Sequence, residues 1–282
     1  MTMAGRIAAM GQSLGPNVLQ SVRDLFAQEQ ERLAAGRPAT LTDIPYGPDD
    51  RHRLDLYAPT ASTGPTPILV FVHGGGFLKG DKGDAAHWPN ANVGRMAAAA
   101  GCLGVVINYR LAPDHPWPAG AQDVAAVVAW LKAHGQAHGG DPDRIILAGT
   151  SAGAVHVAGY LKLAGERDIK GAILLSGLYG YTPLDDRDTL YYGDPTLYPD
   201  RMPMEAVATT RLPLFIACAQ FDPPRFQAEF LGLMQDRLGR HGVLPRATIV
   251  TGHNHYSLPM HLGTSDQRLA GEIRAFIRDV MP

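Results

Sequence analysis

The stretch Ile145-Ile146-Leu147-Ala148-Gly149-Thr150-Ser151-Ala152-Gly153-Ala154 decides how the rest of the chain is read. Residues 145–148 form a continuous apolar run, as in a strand buried on both faces. From Ala152 to residue 163 the apolar spacing is helical. Between the two lies the pattern Gly-x-Ser-x-Gly, 149–153. A strand that turns this sharply into a helix throws the serine hydroxyl out over the sheet edge. The backbone there is strained, so its neighbours must be small. The new helix also points its positive end at whatever the hydroxyl attacks. Gly and Ser are common in turns, so the pentapeptide needs support from elsewhere in the chain.

Working outward, similar apolar runs occur at 68–72, 103–108, 172–175, 214–217 and 247–250. Helical patterns lie between or after most of them, at 93–100, 121–133, 152–163, 227–238 and 267–280. Such alternation predicts an α/β layered fold around a mainly parallel sheet. Two shorter extended segments precede it, 41–46 and 52–57. In the second, Leu54 and Leu56 alternate with Arg53 and Asp55, as in a half-buried strand. An amphipathic helix over 16–35 stands apart from this body, with Pro16 at its start and Gly36-Arg37-Pro38 at its end. Residues 178–212 break the alternation. They are rich in Tyr, Pro and Asp, and they are expected to cover one end of the sheet.

The 282 residues suffice for one large α/β domain or two small ones. With 45% hydrophobic and 18% charged residues the composition is that of a globular chain. The net charge is -2 with both signs mixed, so no basic stripe offers itself to phosphates and no nucleic-acid partner is expected. No window of about 18 apolar residues predicts a membrane span. Residues 1–15 lack a secretory apolar core, and a cytoplasmic protein is expected. The two cysteines, Cys102 and Cys218, sit in apolar runs and read as buried thiols.

The supporting chemistry comes first from His73-Gly74-Gly75-Gly76-Phe77, directly after the run 68–72. Consecutive glycines let backbone N–H groups converge on one point. Acyl transfer needs that convergence for its developing oxyanion, and one such donor is worth roughly 3–4 kcal/mol. Dinucleotide and phosphate loops fail on spacing: Lys79 stands where a final Gly is required, and Asp81 where a Lys is. A serine also needs a base, and the base an orienting acid, in chain order Ser, acid, His. Asp222 follows the run 214–217, and both His253 and His255 follow the run 247–250. All lie at the strand ends where α/β sheets bind ligands. Asp185, Asp186, Asp188 and Asp194 are rival acids in the covering segment and read as solvated. His253, His255 and His261 show no zinc spacing, have no cysteine nearby and form no H-E-x-x-H, so neither a metal nor a cofactor is expected.

On these residues the chain resembles the hormone-sensitive-lipase-like esterases of bacteria and their compact relatives. The matching stretches are 73–77, Asn108-Tyr109-Arg110-Leu111-Ala112-Pro113, Trp117-Pro118-Ala119 with Asp123 behind it, 149–153, and Asp222-Pro223. The resemblance implies an α/β-hydrolase fold: a mostly parallel central sheet flanked by helices, with a small cap. It implies a serine carboxylesterase that cleaves short- to medium-chain esters through an acyl-enzyme, without a cofactor. Its triad would be Ser151, Asp222 and His255. The histidine is chosen because an aromatic, Tyr256, follows it as in that family. The implied oxyanion donors are Gly75, Gly76 and Ala152. Phe77, Tyr179, Tyr181 and Tyr256 are the expected substrate contacts, and Arg110 with Asp123 a structural pair. The expected partner is a small-molecule ester, with neither nucleic acid nor membrane; a homodimer stays open. Residues 1–40 then read as an N-terminal helical cap segment and 41–282 as the hydrolase domain, with 178–212 as a short covering segment. The chain departs from larger family members at Thr150, where they carry Asp, and at Ala154, where they carry Gly. Its tail, 252–257, is closer to compact relatives that include aryl-formamidases and carbohydrate-acetyl or feruloyl esterases. An amidase using the same triad is therefore a second expectation, and a non-catalytic binding protein on this scaffold a third.

Overall fold

Strands buried on both faces need a helical layer above and below, and that demand organises the chain. The computed structural model describes residues 1–61 and 64–281. Its strands are β1 (Leu41–Pro45), β2 (Arg53–Tyr57), β3 (Thr66–Val72), β4 (Leu103–Ile107), β5 (Gly140–Thr150), β6 (Gly171–Leu175), β7 (Leu214–Phe221) and β8 (Arg246–Asn254). They form an 8-stranded sheet in the order β1-β2-β4-β3-β5-β6-β7-β8. β1 and β2 pair antiparallel, β2 joins β4 antiparallel, and every pairing from β4 to β8 is parallel. The helices are α1 (Met3–Met10), α2 (Pro16–Gly36), α3 (Ala91–Ala99), α4 (Ala119–His134), α5 (Ala152–Ala164), α6 (Thr189–Tyr192), α7 (Tyr198–Arg201), α8 (Met204–Thr209), α9 (Pro224–His241), α10 (Ser257–Met260) and α11 (Arg268–Val280).

Alternation along β3 shows how the two layers are filled. Val70 and Val72 join Val124, Val127, Leu131, Val157 and Leu233 from α4, α5 and α9. Leu69 and Phe71 point the other way, to Val93 and Met96 of α3 and to Ile273 and Phe276 of α11. Each such side chain, fully buried, contributes roughly 1.5–3 kcal/mol. The mostly parallel sheet with flanking helices is the fold expected from the sequence.

Polar residues hold the other end of the sheet. Lys82 is buried and bridges Asp43 at 2.9 Å and Asp55 at 2.8 Å, tying β1 and β2 to the loop after β3. Arg110 and Asp123 meet at 2.7 Å, and His52 adds a contact to the same carboxylate at 3.1 Å. Cys102 and Cys218 are free thiols, and burial pushes them up to about 11 and about 12. Among the described residues no helix is long and apolar enough to cross a membrane.

Two features differ from expectation. Residues 3–10 form α1, capped by the Thr2 hydroxyl, which accepts from Gly5 N–H at 3.2 Å. So short a helix leaves little periodic signal. Asp188 is not solvated. It is buried and takes the Arg225 guanidinium at 2.5 Å, because α9 brings Arg225 under the covering segment.

Candidate active site

Val72 of β3 lies opposite Gly149 of β5, so the loop after one strand and the turn after the other leave the sheet side by side. Ser151 sits at the mouth of α5 with φ 53°. A non-glycine residue there stores about 1–3 kcal/mol of strain. Its N–H donates to Leu175 O at 2.8 Å, which anchors the turn to β6. Gly153 is dictated by close approach: a Cβ there would stand 2.0 Å from Val72 O. Gly75 is dictated by both space and conformation. Its φ is +136°, and a Cβ would meet Lys79 O at 1.8 Å. The glycine loop lies directly on the serine, since a Cβ on Gly74 would be 3.2 Å from Ser151 Cβ. Among the described residues the N–H groups of Gly75, Gly76 and Ala152 have no acceptor, although Ala152 is buried. Buried donors are rarely left this way, so the arrangement suits an acceptor that arrives from outside.

Asp222 and His255 lie at the ends of β7 and β8. His255 Nδ1 and Asp222 Oδ1 are 2.7 Å apart. The other carboxylate oxygen accepts from Ser176 Oγ at 2.6 Å and from Ala219 N–H at 2.7 Å. Asp222 is fully buried, and these donors fix its plane. Phe226 packs on the His255 ring with centroids 4.3 Å apart. His255 Nε2 and Ser151 Oγ have no hydrogen-bond partner among the described residues. Ser176 was not anticipated. It ends β6 with φ 48°, and a hydroxyl at a strand's C-terminal end was the available signal.

His253 is built differently. Its Nδ1 is 3.1 Å from Ser257 Oγ and its Nε2 3.1 Å from Asp266 Oδ2, so both ring nitrogens are engaged. Burial pushes this imidazole down to about 3. His253, His261 and Asp266 do bring ligand-type atoms within 4.8 Å of one another. Arg268 already pairs with that carboxylate. The two rings stack at 3.9 Å and 28°, so their lone pairs run side by side, whereas ligands of one ion converge on it at about 2 Å.

Of the expected substrate contacts, Phe77 and Tyr256 lie close to this machinery. Phe77 follows the glycine loop with φ 67° and stacks on Tyr191 at 4.3 Å and 6°. Ala112, Ala152, Val155, Tyr192 and Met202 complete that cluster. Tyr256 is edge-on to His255 at 6.0 Å, and its hydroxyl accepts from Gly15 N–H at 3.1 Å. Through it the segment between α1 and α2 reaches the histidine loop. Tyr179 and Tyr181 are elsewhere. Both pack into the core cluster that holds α9, and the Tyr181 hydroxyl donates to Asp236 at 2.9 Å. The cause is Glu229, a buried residue of α9 that the sequence did not flag. It accepts from the N–H groups of Tyr179, Gly180 and Thr182 at 2.6, 3.1 and 2.7 Å and pulls this stretch onto its helix. The tyrosines beside the glycine loop are instead Tyr191 and Tyr192, brought in by α6.

Behind the loop, His73 stacks on Tyr109 at 4.4 Å, and Tyr191 Oη lies 3.2 Å from His156 Nδ1. Burial pushes His73 down to about 4 and His156 to about 3, so both act as neutral packing groups near neutrality.

Residues 69–257 match a family model described as alpha/beta hydrolase fold. The carboxylesterase NlhH of Mycobacterium tuberculosis is 33% identical over 214 residues, 66% of this chain and 63% of that protein. A probable isoprenylcysteine alpha-carbonyl methylesterase of Oryza sativa subsp. japonica is 31% identical over 232 residues, 77% of this chain and 49% of that protein. The chain thus spans less than two thirds of the length of these relatives. Among solved structures, esterase LipW from Mycobacterium marinum superposes with a TM-score of 0.72 at 24% identity, over 99% of this chain and 98% of the other. An arylesterase structure gives 0.69 at 22%, over 94% and 97%.

Proposed function

We propose that this chain, which belongs to the alpha/beta hydrolase fold family, is a carboxylic ester hydrolase that works through Ser151. The observation that carries the reading is the group of unpaired N–H donors, Gly75, Gly76 and Ala152, around a hydroxyl held on a strained turn. Nothing in the packing of the fold requires donors to be left open there, while a tetrahedral intermediate does. Two relatives named for ester cleavage, at 33% and 31% identity, support the same chemistry.

In the proposed reaction Ser151 Oγ attacks the ester carbonyl while His255 Nε2 takes its proton. Asp222 holds the imidazole through Nδ1, which leaves Nε2 to take the proton. The three N–H groups bind the oxygen that becomes negative. His255 then gives the proton to the departing alcohol, leaving an acyl-enzyme. Water repeats the sequence and releases the acid. No cofactor enters.

Two covering elements set substrate size in this reading. One is the N-terminal segment through α2; Ile7, Val22 and Phe26 in it pack with Trp88 and Met260 beside Tyr256. The other is the 178–212 segment, which stacks Tyr191 on Phe77. With both in place the site takes acetyl to hexanoyl chains. The test is an acyl-length series of aryl esters with formanilide included. Turnover that falls steeply beyond hexanoyl is expected. A preference for long chains overturns the size limit, and faster cleavage of formanilide than of any ester makes the protein an amidase.

A further inference from the structure

The loop that enters α6 carries Asp185, Asp186, Arg187 and Asp188, and it hangs over the glycine loop. The Arg187 guanidinium stands against Gly76. A methyl group on that residue would lie 3.1 Å from Nη2 and 3.9 Å from Cζ. Three nearby guanidinium groups are committed. Arg225 holds Asp188 at 2.5 Å and stands 3.8 Å from Asp185. Arg201 caps the Tyr192 carbonyl, and Arg51 donates to Tyr109 O and Gly80 O at 2.7 and 2.9 Å. Arg187 alone in this group has no partner for its guanidinium among the described residues, though three carboxylates flank it in sequence. Its hydrogen bonds are made by its backbone: the N–H donates to Asp185 Oδ1 at 3.3 Å and the carbonyl accepts from Leu190 N–H at 3.3 Å.

We propose that Arg187 forms an anion subsite beside the oxyanion donors, so that the preferred substrates are esters carrying a carboxylate a few bonds from the scissile carbonyl. The planar fork of arginine matches a carboxylate with two parallel N–H donors, and it is less strongly hydrated than an ammonium. Its position follows from the neighbouring donor. Gly76 N–H would hold the carbonyl oxygen, and the guanidinium is adjacent to that same residue. The surrounding charge makes this a contact effect rather than a general attraction for anions. Asp185 and Asp188 are offset in part by Arg225, and Asp186 is exposed and negative. An anion that cannot reach the fork meets a slightly acidic rim.

The inference rests on the serine-ester reading, and its test keeps the two apart. Rates are measured on two pairs of esters, each an anion against a neutral partner. Phenyl hydrogen glutarate is set against phenyl pentanoate, and 4-acetoxybenzoate against phenyl acetate. The readout is the ratio of kcat/KM within each pair. The unmodified chain should favour the anion in at least one pair. Arg187→Gln should lower that ratio about tenfold through KM, the usual scale for loss of one charge-assisted pair at a partly open site. Arg187→Lys should recover part of it, Arg187→Glu should lower it further, and the preference should fade in 0.5 M salt. A ratio that Arg187→Gln leaves unchanged in both pairs overturns the subsite. Loss of all four esters from the unmodified chain would instead overturn the hydrolase reading.

Discussion

Two histidine–carboxylate pairs stand at the end of β8, two residues apart, and they differ in whether the second ring nitrogen is engaged. His253 bonds through both nitrogens, to Ser257 and Asp266, and it is fully buried. Among the described residues His255 bonds through Nδ1 alone, to a carboxylate that Ser176 and Ala219 also hold. Its Nε2 is left open. The carboxylates differ as well. Asp266 is shared with Arg268, which holds it far below the usual range, whereas Asp222 meets no Lys or Arg side chain among the described residues. A histidine beside an aspartate is therefore no sign of function in itself; the second nitrogen decides.

The widest separation between the pairs should appear in turnover. Ser151→Ala and His255→Ala are expected to lower kcat by about 10⁴- to 10⁶-fold on a short aryl ester, with unchanged far-UV circular dichroism. His253→Ala should instead lower the unfolding midpoint, since a buried pair of bonds worth about 1–3 kcal/mol is lost, while kcat changes far less. The reverse result, with His253→Ala inactive and His255→Ala active, exchanges the roles.

A second separation concerns protons. His73, His156 and His253 are held at about 4, about 3 and about 3 by burial, below the usual histidine value. Lowered folded values mean that the unfolded chain binds more protons below pH about 6.5. Stability should be full above that pH and fall as pH drops toward 4, by about 2 kcal/mol for each imidazole at pH 5. Urea midpoints measured from pH 7 to 4.5 check this. His253→Gln should flatten the slope; an unchanged slope would show that this ring does not remain neutral.

The smallest effect tests the support of Asp222. Ser176→Ala removes one donor from the carboxylate and is expected to reduce kcat about tenfold with little change in KM. A change in KM alone would assign Ser176 to the substrate rather than to the acid.

How much of this the sequence revealed follows from burial. Strands covered on both faces leave uninterrupted apolar runs, so β3 to β7 are visible; β8 is an edge strand that exposes Ile249 and shows only a short run, and the glycines of 73–77 and 149–153 are visible because nothing larger fits. Ser176, Asp188 and Glu229 are not. Each is a single polar residue whose partner lies 37–50 positions away along the chain, at Asp222, Arg225 and Tyr179. Such pairs exist only once the layers have packed. The expectation of Tyr179 and Tyr181 as substrate contacts fails to foresee their place for the same reason: their chemistry suits a pocket, but Glu229 decides where they go.

The order of the sheet also has a consequence for synthesis. Ser151 and its donor loop are complete once β3, β4 and β5 have emerged, because these strands are neighbours. The acid and base of the proposed reaction belong to β7 and β8, which follow those strands in chain order. On that reading a nascent chain displays Ser151 before the edge strand that carries His255 has docked. Until β8 docks, the hydroxyl stands without the base that the proposed reaction needs.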